Sequence, residues 1–568
     1  MPATRDGPEA CGQGVGRPVR FPRRRSHAAG TGSGRRTHDG RQRHRQGRPE
    51  FSGTNSHEKD ADEPDIVKTD GRRIVTVDRG TLRVVDAASR QQTGKLDLGL
   101  RDAGPVELLL AGNVALVLAP GGWGGGDAVT KRLMPTSTNP QLISVDLSGA
   151  PRVVSRYRGQ GSLIDARLTG STARVVLRTT PRVDFPAFSG DEDDQLSANR
   201  RAIGKAPLAA WLPSWEVTTG ATTEQGQADC GRVSRPADYS GGALVSVLTF
   251  DLTQPALGNG DAVTIAADSD TVYATGSSLY LASDQRWRLD RGRAALPVRQ
   301  ETDLYHFTLT GNQPPVYAAA GNVPGFLINQ YALSEWNGHL RVAATNEQAN
   351  ESAVYVLRPD GDKLVRTGFV AGLGKNERIY SVRFLGPRGY VVTFRQTDPL
   401  YSLDLADPTQ PKVTGELKIT GYSAHLQPAG DGRLIGVGQE ADPNGRVRGT
   451  QVSLFDVTDP TEPRRLAQHH TAGAQSEAEW DPHALLWWPA TSLLVVPISA
   501  AAFDATTTTD GVLALQVTDA GMRQIGFIGQ PAIRRSLVID DTLWTVSDAG
   551  LQASLLSTME KVAWLPHE

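Results

Sequence analysis

The sequence has little of what would place it in several common classes. No stretch of eighteen apolar residues occurs, which excludes a membrane-spanning helix in the chain as written. Its two cysteines, Cys11 and Cys230, cannot build a disulfide framework and leave the redox compartment open. The GxSxG, P-loop and HExxH motifs are absent, so the sequence gives no support to the enzyme classes that use them.

Lysine is missing from the first fifty residues, which hold twelve arginines and four acids. Apolar residues are scarce there too, so we expect residues 1–55 to form a disordered tail. Their composition is typical of a start codon assigned too early, and a nucleic-acid-binding arm is the alternative. The other 518 residues carry 48 basic and 58 acidic side chains, a net charge of −10. This balance argues against a nucleic-acid partner for the folded part.

Short apolar-alternating runs separated by Gly, Pro and Asp dominate the sequence that remains. Residues 375–438 contain four such runs, IYSVRF, GYVVTF, LYSLDL and KVTGELKI, followed by the start of another set. Alternation with a period of two is typical of half-buried antiparallel strands. Four-stranded units laid end to end predict a β-propeller.

Direct repetition supports this prediction. LYSLDLADPTQP at 400–411 matches VSLFDVTDPTEP at 452–463, and repeats of about 40 to 50 residues with four strands each are typical of propellers. We count nine units, with an uncertainty of one. The sequence therefore predicts an all-β fold, a β-propeller of about eight to nine four-stranded antiparallel blades over residues 56–568, with a long loop insertion at 181–242.

Five segments resemble a known family, the bacterial secreted proteins of actinobacterial type that carry a C-terminal β-propeller domain distantly related to Trp-Asp repeats. The segments are TNSHEKDADEPDIVKTDG (54–71), LVSVLTFDL (244–252), GFLINQYALSEWNGHLRVAATN (325–346), the stretch from ERIYSV to HLQP (377–428) and SEAEWDPHALLWWP (476–489). The resemblance implies a propeller outside the cytoplasm, secreted or lipid-anchored, and brings no catalytic motif with it. Members of that family carry an export signal, which the first fifty residues of this sequence lack.

One segment, SEAEWDPHALLWWP, concentrates ionisable residues. Glu477, Glu479, Asp481 and His483 alternate along it, and in a strand this spacing places all four on one face. Carboxylates beside a histidine could hold a divalent metal or act as acid and base, which makes Glu477, Asp481 and His483 the candidate catalytic residues. In the alternative interpretation Pro482 breaks the strand, the acids make turn hydrogen bonds, and His483 is a satisfied histidine at the channel rim.

Other acids have a structural interpretation. An aspartate recurs at one position in the third strand of five units, where we expect it to accept backbone N–H groups in the following turn. These residues are Asp86, Asp146, Asp251, Asp404 and Asp456. The acidic cluster at 190–194 lacks the ligand spacing of an EF-hand, so we predict a solvated loop.

These observations lead to a hypothesis of a non-enzymatic, extracytoplasmic binding scaffold without cofactor or metal. We expect a monomer that binds a protein or glycan partner at the cell envelope through loops on one face, including the insertion. The alternative is a hydrolase or oxidoreductase with its site at the channel mouth. Ionisable side chains from several blades within hydrogen-bond reach would favour the enzyme, whereas a bare, wet channel would favour the scaffold.

Overall fold

The computed structural model describes residues 50–567, except 101–103, 122–138, 188–190, 239–240, 285–299, 395–397, 443–445, 501–509 and 520. Residues 1–49 of the predicted tail lie outside the described residues. Within the described part the strands form nine consecutive four-stranded antiparallel units, here called blades 1 to 9. The predicted propeller fold is confirmed.

The strands of blades 1 to 5, in chain order, are as follows. Blade 1 has Val67–Thr69, Arg73–Asp78, Thr81–Asp86 and Gln91–Asp97; blade 2 has Glu107–Ala111, Val114–Ala119, Gln141–Asp146 and Arg152–Gly159. Blade 3 has Ser162–Thr169, Thr172–Thr179, Leu244–Asp251 and Val263–Ile265; blade 4 has Thr271–Ala274, Ser278–Ser283, Glu301–Thr308 and Val316–Pro324. Blade 5 has Leu333–Trp336, His339–Asn346, Glu351–Asp360 and Lys363–Leu373.

The remaining four blades complete the ring. Blade 6 has Arg378–Leu385, Arg388–Phe394, Asp398–Asp404 and Lys412–Ile419; blade 7 has Tyr422–Pro428, Arg433–Ala441, Val447–Asp456 and Arg464–Ala472. Blade 8 has a first strand in two pieces, Ala474–Gln475 and Leu486–Trp488, then Leu493–Ala500, Gly511–Thr518 and Gly521–Gly529. Blade 9 has Ile533–Ile539, Thr542–Ser547, Gly550–Leu555 and Lys561–Pro566.

Local chemistry explains the hairpins. In blade 1 the second and third strands are joined by Arg79 and Gly80, which both have positive φ, 45° and 73°. A two-residue turn with positive φ at both positions matches the right-handed twist of the strands it joins. The second strands are almost wholly buried, as in Thr172–Thr179, whereas the fourth strand Gln91–Asp97 is mostly exposed. Blade 1 therefore runs from a buried inner part to a solvated rim, whereas the fourth strand of blade 3, Val263–Ile265, is largely buried.

Apolar clusters between neighbouring blades hold the ring together. Each cluster combines residues of adjacent blades, and the clusters cover all nine junctions within the described part of the chain. At the closing junction, Ile74 and Val85 of blade 1 pack with Trp544 and Val546 of blade 9. In the described part of the chain, closure sets each blade against two neighbours, which is how a propeller protects its sheets.

The insertion between the second and third strands of blade 3, residues 180–243, contains ordered elements. Helices Glu192–Lys205 and Leu208–Trp211 are followed by a hairpin, Ser214–Thr219 and Thr222–Gln227, that adds two strands to the outer edge of blade 2. A short strand, Val233–Ser234, pairs in parallel with the last strand of blade 3. The acidic segment is not a loop from Asp191 onward, because Asp191 caps the first helix by accepting from the Asp194 N–H at 2.9 Å.

The two faces of the ring differ in their connections. First and second strands are joined by only two to four residues in every blade, on the side we call the turn face. Second and third strands are joined on the opposite side, the loop face, by stretches that reach residues 120–140, 180–243 and 284–300. The connections on these two faces and the central channel are therefore the places where polar side chains could form a site.

Candidate functional site

The chain's own residues 50–66, here called the channel segment, cross the centre of the ring. Phe51 bridges Ile539 of blade 9, Asp62 bridges Leu168 of blade 3, and Asp65 bridges Leu108 of blade 2. All three partners lie in first strands, so these strands line the channel. Residues 50–55, which the predicted tail includes, thus pack against the ring, and Ser52 is 7% exposed.

Further contacts extend the channel segment to other blades. The Gly276 N–H, in the short turn of blade 4, donates to Asp60 at 2.9 Å, and the Asn55 amide donates to the Pro482 carbonyl of blade 8 at 3.0 Å. His57 contacts blade 5 through the Leu333 carbonyl at 2.9 Å. The partners Ile539 and Gly276 adjoin first-to-second strand turns, which places the segment on the turn-face side of the channel.

Glu63, 2% exposed, is the central anion of this arrangement. Its carboxylate accepts from the His57 N–H at 3.0 Å and from the Gln330 amide at 3.0 Å, and lies 2.8 Å from His483 Nε2. Burial favours the neutral acid, but the Arg167 guanidinium and His483 outweigh it and hold the pKa of Glu63 well below its usual range. A buried anion is therefore fixed between cations that belong to blades 3 and 8.

His483 is the cationic partner. Burial lowers its pKa, but the hydrogen bond with Glu63 and the nearby carboxylates Asp65 and Asp481 outweigh burial and raise it to about 9. The imidazole is thus protonated at neutral pH, and a protonated imidazole has no lone pair with which to accept a proton or bind a metal. His483 is a candidate for holding the channel segment rather than a free base.

Arg535 of blade 9 collects the carboxylates near His483. Its guanidinium, 3% exposed, lies 2.7 Å from Asp65, 2.6 Å from Asp481 and 3.4 Å from Glu477. Arg534 also reaches Glu477, at 2.9 Å. The structure therefore brings the three predicted site residues Glu477, Asp481 and His483 to one region of the channel wall, with each of them engaged by an opposite charge.

The prediction that these residues share one face of a strand is wrong. Residues Glu477–Glu479 and Pro482–Ala484 are 3-10 turns. Ser476 caps the first turn in a reciprocal arrangement with Glu479, and Asp481 caps the second by accepting from the His483 N–H at 3.1 Å. Local side-chain-to-backbone bonds and Pro482 divert this stretch from the sheet, as the alternative interpretation held. A metal-binding or catalytic role for the three residues stays a prediction.

Several channel residues were not singled out by the sequence reasoning. Glu107, at the start of the first strand of blade 2, has its pKa raised to about 7 by burial and by the charges of Asp165 and Asp65. Burial and the Arg383 charge lower the pKa of both His57 and His425 to about 3, so these histidines are neutral. The signal for His57 was available in TNSHEKDADEPD, which is too polar to enter a blade; Glu107 carries no local signal.

A cavity of about 400 Å³ lies beside the channel segment. The segment lines it from Phe51 to Asn55, opposite Trp487 and Trp488 of blade 8, and His483 and Arg535 border it. Among the residues that the structure describes, no group of three His, Cys, Asp or Glu side chains is arranged to hold a metal ion. The cavity is of a size that accepts small ligands, bordered by groups that are already paired.

The recurring aspartates behave as predicted. Each accepts a backbone N–H from the turn after its strand, at 2.8 to 3.0 Å, which confirms their structural role. The five acceptor–donor pairs are Asp86–Ser89, Asp146–Ser148, Asp251–Thr253, Asp404–Ala406 and Asp456–Thr458. The bonds lower the pKa of Asp86, Asp146, Asp251 and Asp456, which keeps those carboxylates ionised.

Fold and channel together define a β-propeller whose central opening is crossed by its own chain. Comparison with known families agrees: the family described as Beta propeller domain matches residues 51–559, and the chain belongs to it. The match begins in the channel segment and extends into blade 9, ending before its last strand.

Two curated relatives share part of this sequence. The chain is 41% identical over 175 residues to an uncharacterized protein of Methanocaldococcus jannaschii, covering 30% of this chain and 26% of the relative. It is 44% identical over 165 residues to an uncharacterized protein of Archaeoglobus fulgidus, covering 29% and 25%. The chain thus spans about a quarter of the length of the curated relatives it matches. Both relatives are archaeal, so the bacterial origin implied by the resemblance has no support from them.

Two solved structures show a distant likeness to this chain. A crystal structure of the eukaryotic initiation factor has a TM-score of 0.40 at 8% identity, covering 83% of this chain and 88% of that chain. Saccharomyces cerevisiae Sqt1 has a TM-score of 0.36 at 9% identity, covering 56% and 79%. At these scores the likeness carries no argument about this chain. Among the described residues, no helix is both long and apolar enough to cross a membrane.

Proposed function

We propose that the protein is a non-enzymatic scaffold outside the cytoplasm that binds a protein or glycan partner at the cell envelope through its loop face. The observation that carries the proposal is the unequal length of the connections on the two faces. On the turn face the first-to-second strand turns have two to four residues and the third-to-fourth connections two to eleven, whereas the second-to-third connections on the loop face range from two residues to residues 180–243. Long, unequal loops on a rigid body are where binding surfaces are usually built.

The state of the channel supports the same proposal. The channel is not bare, because charged side chains of several blades meet the channel segment inside it. Ionisable side chains from several blades do converge, which is the feature expected of an enzyme, but they converge on the channel segment. Glu63 lies between His483 and Arg167, and Arg535 between three carboxylates. These ion pairs hold the channel segment in place, which is a structural role.

The alternative, a hydrolase or oxidoreductase at the channel mouth, is favoured by this convergence and by the cavity of about 400 Å³ bordered by His483. Such a reaction would need a group able to exchange protons near neutral pH. Glu107, whose pKa is about 7, is such a group, but it is not among the residues that line this cavity. His483 is held in its protonated form by Glu63, which argues against its use as a base. The scaffold therefore explains the arrangement with fewer additional assumptions.

Site-specific photo-crosslinking in the host tests which face binds. Ala349 and Asn337 lie at opposite ends of blade 5, on the loop face and the turn face respectively, and both are exposed. We expect a crosslinker at Ala349, or at Phe185 in the insertion, to capture an envelope component, and the same crosslinker at Asn337 to capture none. Capture from Asn337 with none from the other two positions would overturn the assignment of the binding face.

Cell fractionation tests the compartment separately. We expect the full-length protein in the envelope or the medium, and we expect a protease added to spheroplasts to digest the envelope-bound fraction. Recovery in the cytoplasmic fraction alone would contradict the extracytoplasmic part of the proposal and leave the binding face to be judged by the crosslinks.

A further inference from the structure

Helix Glu192–Lys205, here called the arm helix, is an exposed element of the insertion in blade 3. None of its residues is buried. Gln195, Ala198, Asn199 and Ala202 are half-buried and mark the side that faces the rest of the insertion. The opposite side is solvent-facing, although it carries Leu196 at 48% exposure and Ile203 at 43%.

Charge is distributed unequally along this exposed side. Asp193 lies in the first turn and Arg200 two turns later, and at 3.6 residues per turn both fall on the same side as Leu196. The order along the stripe is therefore acid, apolar, base, with the apolar residue about midway. A stripe of this kind is complementary to its own reversed copy.

We propose that the arm helix pairs with the arm helix of a second copy of this chain, antiparallel, about a twofold axis close to Leu196. The axis brings Leu196 against Leu196 of the other copy. It also sets Asp193 of each copy opposite Arg200 of the other, twice over, which is the isologous contact that a twofold dimer requires. The partner is a second copy because the stripe supplies both halves of its own complement.

The size of the contact sets its strength. Fourteen residues of helix are about 21 Å long. A single pair of such helices buries less than the roughly 1,000 Å² that a stable interface needs. The dimer is accordingly weak and reversible, with a dissociation constant of about 0.1 to 1 mM, and is weakened by salt. It departs from the expectation of a monomer and does not depend on the proposed function of the loop face.

A charge-exchange experiment tests the pairing in the full-length chain. Asp193→Lys and Arg200→Glu each place like charges across the axis, so each variant alone should dimerise about three- to tenfold more weakly than wild type. An equimolar mixture of the two variants restores both ion pairs and should return to wild-type affinity as a heterodimer. Sedimentation equilibrium from about 10 µM to 1 mM at low salt measures the dissociation constants of wild type, of each variant and of the mixture.

Two further variants separate dimerisation from helix stability. Acids in the first turn also stabilise a helix through its dipole, so circular dichroism must show unchanged helix content in each variant. Leu196→Asp should abolish the dimer, whereas Val316→Asp, at a 63% exposed position on the last strand of blade 4, should leave it intact. Wild type that is monomeric at about 1 mM, or a mixture that associates no better than either variant alone, would overturn the proposal.

Discussion

The two faces of this ring are built from the same strands but differ in what the chain does at their ends. On the turn-face side, short turns surround a channel segment that is tied to several blades by buried charge pairs. On the loop face, one connection alone holds a 14-residue helix, a second short helix and a hairpin. The difference indicates that the interactions that stabilise the ring are concentrated at the channel, whereas the length of the connections varies most on the loop face.

Removing Arg535 should have the largest effect. Asp65, Asp481 and Glu477 all lie within 3.4 Å of its guanidinium, and Asp65 is buried with it. Arg535→Met leaves buried carboxylates without a counter-charge and should cost about 3 to 5 kcal/mol of unfolding free energy. Chemical denaturation followed by tryptophan fluorescence measures this cost.

The neighbouring arginine is the matched control for that variant. Arg534 pairs with the same Glu477, but its side chain is 41% exposed, so Arg534→Met should cost less than about 1 kcal/mol. Equal effects of the two variants would show that the central charges do not hold the channel segment.

Stability should fall as the pH rises through the titration of His483. The pKa of this group is about 9 in the folded protein and about 6.5 when unfolded, so the folded state binds the extra proton. Its contribution is fully present below about pH 6.5 and is lost by about pH 9, up to roughly 3 kcal/mol. Glu63→Gln removes the main cause of the raised pKa of His483, so the pH range over which stability is lost should then be narrower.

The measurement is a series of denaturation curves between pH 6 and pH 10, with the imidazole titration followed by NMR. Glu58→Gln serves as the control, because Glu58 hydrogen-bonds Tyr273 at 2.7 Å and has no contact with His483 in the described structure. An imidazole that titrates near its ordinary pKa in wild type would contradict the ion pair at the channel centre.

Glu107→Gln should stabilise the protein above neutral pH. The pKa of Glu107 is raised to about 7 from an ordinary 4.5, so ionising it in the folded state costs free energy and stability is lost between about pH 4.5 and 7. The amide removes this loss and should add about 1 to 3 kcal/mol at pH 8. At pH 4 both side chains are neutral and the two proteins should be equally stable, which is the internal control. A variant less stable than wild type at pH 8 would show that the charged form is needed.

The periodicity of the sequence predicts the blades, but it does not predict which charged side chains meet in the channel. Alternating apolar runs and Gly or Asp turns are local signals, and each blade is a local unit. Glu63 and His483 lie 420 residues apart and meet only because the ring closes. Ser476, Asp481 and Pro482 are local signals of the turns at Glu477–Glu479 and Pro482–Ala484, but the alternating acids of the same stretch also fit a strand. The acidic start of the arm helix is equally typical of a solvated loop, so the prediction of a loop at 190–194 is wrong from Asp191 onward.

Replacing residues 184–208, which contain the arm helix, should have the smallest effect on stability of all the changes proposed. The Arg182 N–H donates to the Ala210 carbonyl at 2.7 Å, so the two ends of the segment are adjacent and a short Gly-Ser linker can replace residues 184–208. Because no arm-helix residue is buried, we expect the unfolding free energy to change by less than about 1 kcal/mol. The hairpin Ser214–Thr219 and Thr222–Gln227 stays in place at the edge of blade 2 as the control element. A large loss of stability would mean that the loop face also stabilises the ring. A variant of unchanged stability that no longer crosslinks to its partner would assign binding to residues 184–208.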